Sequence, residues 1–231
     1  MLVLGLDTAT PASTVAVAEV TGAGLRGIAE RRTVDPRAHG ELLAPQIHQT
    51  LAEAGVRARD LAAIVAGVGP GPFTGLRVGL ATAAAMGQAL NIPTYGVCSL
   101  DGLGLAAGPG RVLVATDARR REVYYATYLD GKRVGEPQVG RPADIAVDAE
   151  RAVGEGALRY SEVIGLPIDG EVLYPPGSAL ISLAADRIRA GAEASRAGGD
   201  SGRARPGERL TPLYLRRPDA VESAGRKHVL Q

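Results

Sequence analysis

A turn near the start of the chain combines a carboxylate with two hydroxyl groups. Asp7 and Thr8 follow a short apolar run, and Thr10 comes shortly after them. At the end of a strand, a carboxylate and hydroxyls can face a phosphate or a magnesium ion. The alternative is a turn capped by its own Asp and Thr side chains. The spacing alone favours the capped turn and leaves the phosphate site as a hypothesis.

A glycine-rich turn, GPGPFTG, is the second candidate for anion binding. Gly69, Gly71 and Gly75 permit positive φ angles, and Thr74 is placed to cap the helix that follows. Free amides at a helix N-terminus can hold an anion. A P-loop, however, needs Lys followed by Ser or Thr at the helix start, and residues 76–77 are Leu and Arg. The phosphate signal of this turn is therefore weak.

Two histidines and one cysteine complete the reactive groups of the first half. His39 and His48 lie in one predicted helix, nine residues apart. At about 100° per residue they fall on opposite faces, so one metal ion cannot bind both. We expect exposed or capping histidines. The single Cys98 excludes an internal disulfide, indicates a reducing compartment, and is interpreted as a core residue rather than a nucleophile.

Composition excludes several classes of function. The 231 residues carry a formal net charge of +1, so no global basic field is present to hold a nucleic acid. Of the 26 cationic residues only Lys132 and Lys227 are lysines, which we interpret as genome composition. The first residues lack the basic region that precedes the apolar run of a signal peptide. No apolar stretch reaches the roughly 18 residues that a membrane-spanning helix needs. A cytoplasmic protein without a membrane span is expected.

The elements that must position these groups follow from hydrophobic spacing. An apolar run and two further segments predict an antiparallel meander of strands over 2–6, 14–20 and 28–33. After the meander, helices are predicted over 39–54 and 74–90 from their periodicity. Apolar runs predict buried strands over 61–67 and 93–99.

The helix over 74–90 has an unusual stripe of small residues. The members recur every four residues and are Gly75, Gly79, Ala83 and Gly87. Glycine inside a helix costs up to roughly 1 kcal/mol relative to alanine, so the stripe indicates close approach of another backbone. That backbone belongs either to the protein's own sheet or to a partner's helix. A second face of Leu80, Ala84 and Met86 is predicted to pack on the sheet.

A GPG break at 108–110 predicts a boundary between a first lobe, 1–107, and a second lobe, 108–231. The second lobe is predicted to contain two strands, a loop-rich middle and one helix, over 111–116, 122–129, 130–175 and 178–190. Low complexity predicts a mobile segment over 191–207. The strand-like run over 208–217 is predicted to dock back.

Five runs of residues together resemble the TsaB (YeaZ) family, a subunit in bacterial tRNA threonylcarbamoyladenosine synthesis. They are LGLDTAT, HGELLAPQI, GVGPGPFTGLRVGLATAAAMGQALNIPTYGVCSLDGL, TDARRREVYYATY and PLYLRR. The resemblance implies an α/β fold of the ASKHA class (actin-like ATPase, ribonuclease H-like), with two lobes of which the second is reduced. It also implies a vestigial nucleotide or phosphate side, formed by Asp7, Thr8, Gly69, Gly71 and Thr74.

The resemblance extends to TsaD, the catalytic paralogue, which carries HxxxH after the strand that corresponds to 93–99. Two histidines spaced in this way share one helical face and can bind one metal. Alignment of the two families places Ser99 and Leu103 at these positions. The resemblance therefore implies that this chain has no catalytic residues, metal or cofactor of its own, with ATP and metal on the partner subunits.

The function implied is that of a non-catalytic subunit. It would bind TsaD and TsaE and support threonylcarbamoyl transfer to N6 of adenosine 37 in tRNAs that read codons beginning with A. The implied partner interface consists of residues from two first-lobe helices, Leu43, Ile47, Gly75, Gly79, Ala83 and Met86. A homodimer through the same helices is also implied, and tRNA would be bound mainly by the complex.

Two other functions remain open from the sequence. One is an enzyme of the same fold class, a glycoprotease-like metallopeptidase or a small-molecule kinase. The other is direct tRNA binding by arginines, with Tyr124, Tyr125 and Tyr128 near the first cluster. The arginines concerned are 119–121, those within 203–209, Arg216 and Arg217.

Overall fold

A computed structural model describes residues 1–197 and 207–216 and shows two β-sheets flanked by helices. The first sheet contains five strands in the order β3-β2-β1-β4-β5. Their bounds are β1 Leu2–Asp7, β2 Ala12–Thr21, β3 Gly24–Val34, β4 Leu61–Gly67 and β5 Thr94–Val97. The predicted meander is confirmed, because β2 pairs antiparallel with both β1 and β3. Strands β4 and β5 add in parallel beside β1.

Helices α1, His39–Glu53, and α2, Phe73–Leu90, cover one face of this sheet. The central strand β1 is an uninterrupted apolar run because both of its faces are covered. Leu4 and Leu6 point toward the two helices, whereas Val3 points to the opposite face.

The second sheet contains four strands in the order β8-β7-β6-β9. Their bounds are β6 Arg111–Asp117, β7 Val123–Leu129, β8 Lys132–Gly140 and β9 Arg151–Val153. Helix α3, Ser99–Ala107, precedes it and buries Leu100 and Leu103 against it. The predicted strands over 111–116 and 122–129 are confirmed.

The prediction of a loop-rich middle over 130–175 is correct only in part. This range contains β8, β9 and two short helices, α4 Glu155–Arg159 and α5 Ser161–Ile164. Strand β8 lies at the edge of the sheet and exposes most of its residues, so it lacks the apolar alternation by which strands are recognised.

Helix α6, Gly177–Ala197, is longer than the predicted 178–190. Residues 191–197, predicted to be mobile, continue the helix, and residues 198–206 lie outside the described range. The helix follows the second sheet in the chain but packs on the first, where Leu180 and Ile181 contact the face that carries Val3.

Of the last described residues, 207–213 lie along the first lobe, whereas Leu215 and Arg216 contact the second. The Glu208 amide donates to the Thr94 carbonyl at 2.8 Å, and the Leu213 amide donates to the Val68 carbonyl at 2.8 Å. Leu210 packs against the core between the first sheet and helices α1 and α2. Residue 217 and the arginines at 203–206 lie outside the described range.

Candidate functional site: the cleft between the two sheets

Asp7 lies at the carboxyl end of β1 and is almost completely buried. Its Oδ1 accepts the Ala9 amide at 2.9 Å, and its Oδ2 accepts the Ser99 hydroxyl at 2.5 Å. The Ser99 oxygen in turn accepts the Gly69 amide at 3.1 Å. Burial raises the pKa of Asp7 to about 6, against the lowering effect of the two hydrogen bonds that the carboxylate accepts. The acidic turn, the glycine turn and the start of α3 thus form one hydrogen-bonded unit.

Thr8 joins this unit to helix α2. Its buried hydroxyl donates to the Gly75 carbonyl at 2.8 Å and accepts the Gly79 amide at 3.1 Å. A Cβ at Gly79 would lie 2.3 Å from the Thr8 oxygen, closer than any real contact. The glycine is therefore required by close approach of β1's turn, which belongs to the same chain.

The glycine turn packs directly against the acidic turn. A Cβ at Gly71 would lie 2.2 Å from the Ala9 carbonyl oxygen. The prediction that Thr74 caps α2 is wrong, because the helix begins at Phe73 and Thr74 is exposed in its first turn. The acidic turn also caps itself, since the Ala12 amide donates to the Thr10 hydroxyl at 3.3 Å and the Ala9 amide to Asp7 at 2.9 Å. This confirms the capped-turn alternative.

A cleft of about 920 Å³ opens beyond these turns, between the two sheets. Its first-sheet side includes Thr8, Thr10 and the start of α2. The carboxylate of Asp7 is directed away into the hydrogen bonds with Ser99 and Ala9. Of the predicted phosphate side, Thr8, Gly71 and Thr74 line the cleft, whereas Asp7 and Gly69 do not.

His39 also lines the cleft, at the start of α1. It is buried rather than exposed, and its Nδ1 lies 2.9 Å from the Ser13 hydroxyl oxygen. Burial lowers the pKa of His39, partly opposed by Asp35 and by the Thr10 backbone. The ring is thus favoured in its neutral form. His48 is exposed on the other side of the helix, as predicted.

The cleft is rich in arginine, mostly on its second-sheet side. The cleft is lined by one aspartate, Asp117, and by six arginines, Arg37, Arg119, Arg120, Arg121, Arg159 and Arg216. Arg159 pairs with Asp117 at 3.1 Å, and Arg216 pairs with Glu122. Within the described residues, no ion pair involves Arg37, Arg119 or Arg121.

The loop between β6 and β7 holds three of these arginines in a strained conformation. Arg119, Arg120 and Arg121 have φ angles of 60°, 52° and 62°. The left-handed region costs a non-glycine residue roughly 1–2 kcal/mol. Sequence reasoning identified the cluster but not this conformation, because Gly or Asn, which normally signal it, are absent.

A buried glutamate of α4 is a further feature that sequence reasoning missed. Glu155 accepts the Asp117 amide at 3.1 Å and the Gly156 amide at 2.5 Å. Burial raises its pKa to about 7, against the effect of these two hydrogen bonds. Nothing in the run GEGAL distinguishes this residue from an ordinary exposed helix N-terminus.

Ser99 and Leu103, at the positions that correspond to the histidine pair, stabilise the fold. Ser99 is buried in its hydrogen bonds, and Leu103 is fully buried against the second sheet. Among residues 1–197 and 207–216, no group of three His, Cys, Asp or Glu side chains is arranged to hold a metal ion. Burial raises the pKa of the Cys98 thiol to about 12, so it stays protonated at neutral pH.

The implied partner interface needs correction. Leu43, Ile47, Gly75, Gly79 and Ala83 are all buried under the chain's own first sheet, and Met86 is partly buried. The small-residue stripe is therefore explained by packing within the chain. The predicted second face is also wrong at Ala84, which is exposed, although Leu80 is buried.

The solvent-facing sides of α1 and α2 carry mostly small or polar side chains. The two helices contact each other over the sheet. The exposed positions include Ala44, His48 and Ala52 on α1, and Arg77, Ala81, Ala84, Ala85 and Gln88 on α2. A groove of about 780 Å³ runs along α2 beside residues 207–214.

Comparison with known sequences gives a consistent set of relatives. Residues 30–195 match the family model described as TsaD, tRNA N6-adenosine threonylcarbamoyltransferase. An uncharacterized protein of Mycobacterium leprae is 44% identical over 95% of this chain, which spans 56% of that protein. The tRNA threonylcarbamoyladenosine biosynthesis protein TsaB of Escherichia coli is 28% identical, over 94% of this chain and 95% of that protein.

Comparison with solved structures agrees with the comparison of sequences. YeaZ from Pseudomonas aeruginosa is 32% identical and superposes with a TM-score of 0.69, over 93% of this chain and 99% of that one. With the two sheets and their helices, this likeness confirms the predicted α/β, ASKHA-like fold class.

Proposed function

We propose that this chain, which belongs to the TsaD family of tRNA N6-adenosine threonylcarbamoyltransferases and is a TsaB/YeaZ homologue, is a non-catalytic subunit of the modifying complex. The homology gives it a role in tRNA threonylcarbamoyladenosine synthesis. Its partners in the proposal are TsaD and TsaE, and its place is the cytoplasm. None of the helices described is long and apolar enough to cross a membrane.

The observation that carries the proposal is the chemistry at the start of α3. Ser99 commits its hydroxyl to Asp7 and to the Gly69 amide. Leu103 has no donor atom and is buried in the core. A metal site of the HxxxH kind needs two imidazoles at these positions. In the proposal the metal and ATP are held by the partner subunits.

The proposed surface for TsaD is the outer side of α1 and α2, in place of the buried residues first expected. Small exposed side chains such as Ala81 and Ala85 let a second helix approach closely. A homodimer of this chain through the same side is proposed for the isolated protein. Supporting this choice, the inner sides of both helices are already occupied by the first sheet.

Two matched variants, each replacing an exposed alanine by arginine, test the proposed TsaD surface. Ala81→Arg places a long charged side chain on the outer side of α2, whereas Ala190→Arg makes the same change at an exposed position of α6. Gel filtration with purified TsaD is expected to show complex formation for the Ala190 variant and its loss for the Ala81 variant. Equal binding by both variants, with unchanged thermal stability, would contradict this surface.

The enzyme alternatives lose support at the same residues. A metallopeptidase lacks its imidazole pair at Ser99 and Leu103. A kinase would use the acidic turn toward phosphates, but Asp7 and Thr8 commit their side chains to other parts of the chain. Tight binding of zinc in metal analysis, or of ATP in titration calorimetry, would revive them.

A further inference from the structure

The arginines of the β6–β7 loop are not explained by the fold. Arg119 and Arg121 are exposed, make no ion pair within the described residues, and occupy a backbone region that disfavours their side chains. Glycine or asparagine would form this loop at lower cost. Residues kept in strained conformations point to a use for their side chains, and here the side chains line the cleft.

The cleft as a whole favours an anionic ligand. Of its six arginines, Arg159 is paired with Asp117 and Arg216 with Glu122, and within the described residues Arg37, Arg119 and Arg121 make no ion pair. In a chain whose net charge is only +1, this is a local concentration of positive charge. Guanidinium groups bind phosphate oxygens through forked hydrogen bonds.

The first-sheet side of the cleft offers little to a nucleotide's phosphates. The Thr8 hydroxyl is committed to the Gly75 carbonyl and the Gly79 amide. The glycine turn lies so close to the acidic turn that a Cβ at Gly71 would strike the Ala9 carbonyl. The side chains that can bind an anion in the cleft therefore lie mainly along the exposed arginine loop of the second-sheet side.

Aromatic rings at the rim of the cleft indicate which polyanion fits. Phe73 and Tyr214 stack with ring centroids 5.2 Å apart, and the Arg77 guanidinium lies 3.7 Å from the Phe73 centroid. Tyr214 remains 38% exposed, and Tyr160 lines the opposite side. Unpaired bases stack on aromatic and guanidinium planes, a mode that an acidic protein segment does not use.

We propose that the cleft binds an unpaired segment of tRNA directly, with Arg119 and Arg121 holding its phosphate backbone. This inference rests on the proposed function, which brings the chain to tRNA, and goes beyond it by placing an RNA contact on this subunit. The cleft's 920 Å³ is at the upper end of the roughly 300–1,000 Å³ of ligand pockets.

The test measures binding of the full chain to a labelled transcript of a tRNA that reads a codon beginning with A. The double variant Arg119→Gln/Arg121→Gln removes two charges while keeping long polar side chains. The matched control, Arg59→Gln/Lys132→Gln, removes two exposed charges outside the cleft. Circular dichroism verifies that both variants are folded.

Each phosphate contact on a single strand contributes about 0.7 to the slope of log K against log salt. Loss of two contacts is therefore expected to weaken binding about 25-fold at 0.1 M salt and to lower the slope by about 1.4. The control variant is expected to bind as the unmodified chain does.

Five results would overturn the inference. The first four are absence of tRNA binding by the unmodified chain, equal weakening in both double variants, equally tight binding of a duplex RNA of the same length, and displacement of tRNA by polyglutamate at equal charge concentration. The fourth would assign the cleft to an acidic protein segment. Competition by ATP at micromolar concentration would assign it to a nucleotide and overturn the inference as well.

Failure of the inference is distinguishable from failure of the proposed function. Direct tRNA binding requires no partner, whereas the subunit role is measured by tRNA modification in the presence of TsaD and TsaE. If modification needs the chain but is unaffected by Arg119→Gln/Arg121→Gln, the subunit role stands and the RNA contact falls. If the variant loses tRNA binding but modification does not need the chain, the RNA contact stands and the subunit role falls.

Discussion

The packing of Gly79 against Thr8 gives a prediction whose size can be worked from contacts. Gly79→Ala places a Cβ 2.3 Å from the Thr8 oxygen, so the two turns must separate. Overpacking of this kind costs about 1–3 kcal/mol. Loss of the two Thr8 hydrogen bonds adds about 2 kcal/mol, and better helix propensity returns up to about 1 kcal/mol. We expect a net loss of about 3 kcal/mol in the free energy of unfolding.

Urea unfolding at 25 °C measures this loss, and Gly40 supplies the control. Gly40 lies in α1 with open space around its Cα, so Gly40→Ala is expected to stabilise the protein by up to about 1 kcal/mol. In a Thr8→Ala background, the clashing oxygen and its two hydrogen bonds are already absent, so the cost of Gly79→Ala is expected to disappear. Equal stability of the Gly79→Ala and Gly40→Ala variants would refute the close approach of α2 to β1's turn.

Two further predictions concern buried charge and backbone strain. Because the pKa of Asp7 is raised from 3.8 to about 6, the folded state holds its proton more tightly than the unfolded state does. Asp7 should therefore contribute a fall of up to about 3 kcal/mol in the free energy of unfolding as pH rises from about 4 to 6, in addition to the fall that Glu155 gives up to about pH 7. In urea titrations at each pH, Asp7→Asn should show a fall that is smaller by the Asp7 contribution. Parallel curves for the two proteins would contradict this prediction. Arg121→Gly should raise the free energy of unfolding by about 1 kcal/mol because it relieves a left-handed residue, and a loss of stability in thermal melts would argue against the strain.

Much of the fold is predictable because the patterns are local. The meander over β1 to β3 and the two helices that follow arise from apolar spacing, and their bounds differ from the predictions by a few residues at most strand ends. The edge strand β8 was missed because its exposed residues carry no such spacing. Helix α6 was predicted too short, since the run GAEASRA combines residues of good helix propensity with a low-complexity composition.

The site was predictable in its residues but not in its contacts. The stripe containing Gly75 and Gly79 correctly indicated close approach of a backbone, yet a helical pattern cannot tell an internal neighbour from a partner. Similarly, the acidic turn indicates Asp7 and the alignment indicates Ser99, and only the tertiary structure brings the two side chains to 2.5 Å from each other. The left-handed conformation of the arginine loop has no counterpart in the sequence.

The central claim is that this chain is a required, non-catalytic subunit in tRNA modification. The most direct test is transfer of threonylcarbamoyl from an activated donor to tRNA, followed by nucleoside mass spectrometry, with purified TsaD and TsaE in the presence and absence of this chain. We predict that modification depends on the chain and that the chain alone, supplied with the same donor, ATP and metal, produces none. Full-rate modification in its absence, or modification by the chain alone, would contradict the claim.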